Sequence, residues 1–157
     1  VTEPSSPSPA VDLAEDRAAL IDLVCAIAEA LDRRQWDRFA GAFTSDAVGY
    51  GAVGPEAIAA QCRTYLDHCG PTQHLVASHR VTLDGDRARI TSKARVFHQA
   101  ADRSGSYEVF GVYLDQAERT PDGWRLTRRD FVPEIEVGDI SVILGPNTPL
   151  HGDGNLL

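Results

Sequence analysis

Apolar and polar positions along this chain follow two periods, a helical one in the first half and a strand-like one in the second. Leu20, Val24, Ile27 and Leu31 recur at helical spacing, with Ile21 and Ala28 widening the stripe, and predict an amphipathic first helix. Asp12 with Glu15 reads as its N-cap and reciprocal partner, and Arg33–Arg34 close it where cations suit the negative end of the helix dipole. Trp36, Phe39, Ala40 and Phe43 predict a short second helix, and Ala47–Gly51 a short strand carrying Tyr50. Gly54-Pro55-Glu56 opens a third helix that presents Ile58, Cys62, Tyr65 and Leu66 and stops at Gly70-Pro71.

From Gln73 to Ala100 the pattern becomes that of two long strands about an Asp84-Gly85 turn, with His74 near one outer end and His98 near the other. An antiparallel hairpin sets those ends side by side. A two-residue turn there pairs Leu83 with Asp86 and His79 with Ile90, and carried outward it turns His74 and His98 to opposite faces. One pocket holding both imidazoles therefore requires a β-bulge between about Leu75 and Val81 or on the facing strand, or else a three-residue turn. A third strand, Ser106 to Glu118, carries apolar groups on both faces, and the Thr120-Pro121-Asp122-Gly123 turn leads to a last strand over Trp124–Glu134.

Three helices and a short strand before a four-strand meander predict an α+β fold, the helices packed on one side of a curved antiparallel sheet. Such a sheet wrapped around a helix makes a cone whose mouth can take a small molecule. Residues 1–10 are expected to be disordered, 11–136 to form the domain, and 137–157 to be a tail whose apolar patch, Ile140–Leu144, can cover the pocket.

The charge of −8 repels phosphate backbones and argues against nucleic acid. No apolar run approaches the ~20 residues of a bilayer span, and VTEPSSPSPA has no signal-peptide pattern. Three cysteines, an odd number without a CxxC pair, fit a reduced, cytoplasmic protein.

Three residues carry candidate chemistry. Asp32 ends the first helix on the border of its buried stripe, where a negative charge opposes the dipole. His74 and His98 stand at the rim of an apolar face, and a buried imidazole near neutral pH can take up and return a proton. His68 and His79 are expected at the surface or rim, and His151 in the tail. Strict alternation puts His74 and His79 on opposite faces, which argues against zinc held by His74, His79 and His98.

The run LDRRQWDRF (Leu31–Phe39), then Tyr50, TQHLV (Thr72–Val76) and RVFHQ (Arg95–Gln99), resembles the scytalone dehydratase branch of the SnoaL-like, nuclear transport factor 2-like superfamily. The resemblance implies that Asp32 orients His74 as a base, that His98 serves as the partner acid, and that Tyr50 helps hold a water. The sequence departs from the dehydratases at Leu31, where they have a tyrosine. The resemblance further implies a cofactor-independent, metal-free dehydratase or cyclase acting on a polyketide-like or polycyclic carbonyl compound, as a homodimer. The same fold also hosts non-catalytic binders of apolar ligands and structural small subunits of oxygenases. Epoxide hydrolysis would need an Asp–Arg–Asp constellation, for which Asp130 near Arg128 and Arg129 is the candidate.

Overall fold

The computed structural model describes residues 13–144. Helix α1 (Leu13–Asp32) lays Leu20, Val24, Ile27 and Leu31 into the core, as their spacing predicts. Full burial of each contributes about 1.5–3 kcal/mol. Helices α2 (Trp36–Ala40) and α3 (Pro55–Leu66) flank it, with strands β1 (Phe43–Gly49) and β2 (Ala52–Val53) between them. Four long strands come next, β3 (Thr72–Asp84), β4 (Arg87–Gln99), β5 (Ser106–Thr120) and β6 (Gly123–Gly138), then a short 3-10 turn at Ile140–Val142.

All six strands form one mixed sheet in the order β2-β1-β6-β5-β4-β3, antiparallel except where β1 runs parallel to β6. The helices pack on its inner face, which makes the fold α+β. A large cluster built on α1, α3 and Phe39 fills one part of this face. A smaller cluster around Ala94, Val96, Tyr107, Val109 and Tyr113 lines the other, where the helices leave a hollow.

Several boundaries differ from the sequence reading. Phe43 opens β1 instead of closing the second helix, because it pairs with Leu126 of β6. Tyr50 comes after β1 in a turn with φ 52°, so its ring leaves the strand's alternation. The hairpin turn is Gly85-Asp86, with Asp84 opposite Arg87 and Gly85 supplying the positive φ of 57°. The last strand runs on to Gly138. Asp12, the segment expected to be disordered and most of the tail, His151 included, lie outside the described residues.

The bulge required by the two histidines is present. Ala77 pairs with Lys93 and Arg80 with Thr91, so Ser78 and His79 share a single opposing residue. Ser78 takes φ 53° to accommodate this, and the shift turns His74 toward the inner face that His98 occupies. His79 turns toward the inner side as well and is half-buried, its Nδ1 2.8 Å from the hydroxyl of fully buried Ser92, in keeping with a rim position. The opposite-faces argument against a three-histidine zinc site thus fails, although no cluster of three His, Cys, Asp or Glu close enough to hold a metal occurs among the described residues. No helix among them is long and apolar enough to cross a membrane.

Candidate active site

Asp32 is the last residue of α1, whose final turn carries no basic side chain. Hydrogen bonds from β3 take the place of a favourable dipole. The His74 backbone N–H donates to both carboxylate oxygens at 2.9 and 3.1 Å, and the Thr72 hydroxyl donates to Oδ1 at 3.1 Å. The His74 ring completes the set, with Nδ1 2.6 Å from Oδ1. Burial alone would raise the Asp32 carboxyl, but these bonds, the His74 ring's foremost, outweigh it and hold the group below the usual carboxylate range. The carboxylate stays ionised and can only accept, so Nδ1 of His74 donates to it and Nε2 is the nitrogen left outside that bond.

Arg34 braces this arrangement. In the left-handed region at φ 55°, it donates to Thr72 Oγ1 and the Leu31 carbonyl at 2.8 Å each and to the Leu66 carbonyl at 3.1 Å. It thereby ties the end of α1 to the end of α3 and the start of β3.

His98 faces His74 from β4, the ring centroids 6.1 Å apart and the planes at 77°. Its Nδ1 lies 3.3 Å from the Tyr107 carbonyl, an acceptor only, so Nε2 is again the free nitrogen. Burial foremost, with the His74 ring beside it, pushes this imidazole down to about 4, so it is neutral at physiological pH. Its ring also packs on Tyr107, centroids 5.7 Å apart. The Tyr107 hydroxyl donates to Glu136 at 2.5 Å.

Both imidazoles line one apolar cavity with Leu31, Tyr50, Val96, Val109, Tyr113 and Phe131, and Ile143 contributes from beyond the 3-10 turn. The cavity encloses about 720 Å³ of atom-free space, its mouth included. Leu31 presents a hydrocarbon wall where the dehydratases have a phenol. The Tyr50 hydroxyl is buried without a well-formed hydrogen bond among the described residues, and burial raises it well above the ordinary phenol range. Behind Tyr113 lies a buried ion pair, Arg129 with Asp115, closed by two bonds of 2.9 and 3.1 Å. The Arg129 guanidinium rests 4.1 Å over the Tyr113 ring. Arg128 pairs with Asp130 at the exposed surface, so the three residues considered for epoxide hydrolysis divide between interior and solvent.

His74, His98 and Tyr50 therefore line one hollow, and Asp32 stands behind His74 in direct contact with its ring. The sequence reading missed Thr72, Arg34, Tyr107 and Glu136. Thr72 could have been found, since once the bulge is placed it stands directly opposite His98.

An open curved sheet closed by helices around an apolar hollow is the architecture of the nuclear transport factor 2-like superfamily. The chain belongs to the SnoaL-like domain family, which matches residues 12–130. An uncharacterized protein of Mycobacterium tuberculosis is 32% identical over 124 residues, covering 73% of this chain and 82% of the relative. A candidate aromatic ring hydroxylase from Novosphingobium aromaticivorans is 28% identical, with a TM-score of 0.73 over 83% of this chain and 97% of that one. A candidate scytalone dehydratase from the same organism shares the fold alone, at 16% identity and a TM-score of 0.74 over 79% and 87% of the two chains.

Proposed function

We propose that the protein is a cofactor-independent acid–base enzyme, a dehydratase or cyclase for a polyketide-like or polycyclic carbonyl compound, with the Asp32–His74 pair as its base. The observation that carries this reading is the 2.6 Å contact between Asp32 and His74 Nδ1, at the wall of an apolar cavity. His74 Nε2 takes the proton beside the substrate carbonyl, and Asp32 stabilises the imidazolium that forms. In a dehydration the C–H electrons become the new double bond and the β-hydroxyl departs. The imidazolium returns its proton to that hydroxyl, so that water leaves and His74 is regenerated. His98, neutral and with its Nε2 lone pair free, is assigned an orienting role: it accepts a hydrogen bond from a substrate hydroxyl. Tyr50 polarises the end of the cavity near Tyr113 in this scheme. A positioned base of this kind contributes typically ~10²–10⁴ in rate.

The same reading includes a homodimer formed through the outer face of the sheet. Leu75, Phe97, Leu114, Val132, Ile135 and Val137 leave that face apolar and exposed. Sedimentation giving a monomer at all concentrations would remove this element.

The reaction is tested by following exchange of the α-protons of 2-tetralone in D₂O by NMR. The protein should accelerate exchange over buffer, and His74→Ala should abolish the acceleration. Exchange no faster than in buffer, or full acceleration by the variant, refutes the reading.

A further inference from the structure

Two independent features of the cavity concern what it admits. The first is its charge. Glu136 is the one acidic side chain among the described lining residues, and Asp32 holds His74 from behind. His98 is neutral there, and Arg129, 1% exposed, is committed to Asp115 behind the wall. No arginine or lysine stands among those lining residues to receive a carboxylate or a phosphate.

The second is the register of β6. Phe131 pairs with Tyr113 and Pro133 with Gly111, and both Phe131 and Pro133 line the cavity. Continued alternation would bring Ile135 inward next. Instead the strand shifts between the Phe110 and Gly111 pairings, leaving Glu134 as the extra residue, so Ile135 faces outward opposite Phe110 and Glu136 comes inward opposite Val109. The bulge leaves an isoleucine 58% exposed and sets a carboxylate at the rim of an otherwise apolar hollow. The Tyr107 hydroxyl fixes one oxygen of that carboxylate at 2.5 Å. A carboxylate accepts several hydrogen bonds, so capacity remains toward the cavity.

We propose that Glu136 determines specificity: it admits neutral ligands that offer a hydroxyl donor at the mouth and rejects ligands that carry an anion there. This rests on the cavity being the ligand site, as in the function proposed above, but not on proton transfer taking place in it. The substrate class becomes a free phenol or alcohol with an apolar ring body, and carboxylic acids and phosphorylated carriers are excluded.

The test is a pair of probes of matched shape, 2-naphthol and 2-naphthoate, titrated onto the full chain at pH 7.5 by calorimetry or fluorescence. Wild type should bind 2-naphthol about tenfold or more tightly than 2-naphthoate, since like charges brought together at a binding surface are strongly disfavoured. Glu136→Gln, a change at an exposed position that leaves the core intact, should bring the two within about threefold, mainly by tightening 2-naphthoate. Equal affinities in wild type, an unchanged ratio in the variant, or failure of both probes to bind overturns the inference. Binding is read without turnover, so a chain that selects as expected but does not exchange protons would sink the proposed reaction and leave the role of Glu136 standing.

Discussion

Burying a neutral imidazole has a price in acid that can be worked out for His98. The unfolded chain protonates this residue near 6.5, whereas in the fold burial holds it at about 4. Between those values the unfolded state binds more protons than the native one, so stability rises with pH and is lost as the pH falls from about 6.5 to about 4. At about 1.4 kcal/mol per pH unit, the loss across the window is about 3 kcal/mol. His98 is 5% exposed, so solvent does little to reduce it. Urea unfolding of wild type and His98→Gln at intervals from pH 7.5 to 4 isolates the effect, because Asp32 and the other carboxylates titrate in both proteins and cancel. The difference in unfolding free energy, wild type minus variant, should fall by about 3 kcal/mol as the pH is lowered. A flat difference would mean that the ring is solvated in the native state and that the cavity wall is not closed around it.

Replacing Asp32 by Asn should slow 2-tetralone exchange by roughly a hundred- to ten-thousandfold, because the amide no longer stabilises the imidazolium; an unchanged rate would show that His74 acts alone. Arg129→Leu should destabilise the fold by roughly 3–5 kcal/mol in urea melts, since it strands the buried Asp115 charge, and a loss below about 1 kcal/mol would place water at that pair. Gly111→Ala should cost about 1–3 kcal/mol, because the added methyl would stand 2.4 Å from the Val132 carbonyl oxygen and 2.7 Å from the Phe131 ring. A neutral result in thermal melts would mean that β6 gives way there.

The α+β architecture could be read from the chain because its two hydrophobic periods divide so cleanly. The Leu20–Leu31 stripe allows one placement of the core, and the strand-like period after Gln73 marks a sheet even though β5 carries apolar groups on both faces. His74 and His98 could be joined in advance because register arithmetic made their meeting conditional on a bulge, and that bulge sits at Ser78–His79. The bulge beside Glu134 left no comparable mark, since no second residue of interest demanded it. The last strand was read only as far as Glu134, which left Glu136 outside the sheet, whereas it pairs with Val109. Tyr50 was assigned to a strand because a tyrosine with φ 52° cannot be told from an extended one by residue type. Arg34 looked like a helix-closing cation, and its bonds to Thr72 and Leu66 come from elements distant in sequence.

The central claim is that Asp32 holds His74 in the form whose free nitrogen faces the cavity. A long-range ¹H–¹⁵N correlation spectrum of histidine-labelled protein reads this directly at neutral pH. His74 should be protonated at Nδ1, with an unprotonated Nε2 and a Nδ1 proton that moves when Asp32 becomes Asn. A resting His74 protonated at Nε2 alone, indifferent to that substitution, would contradict the claim.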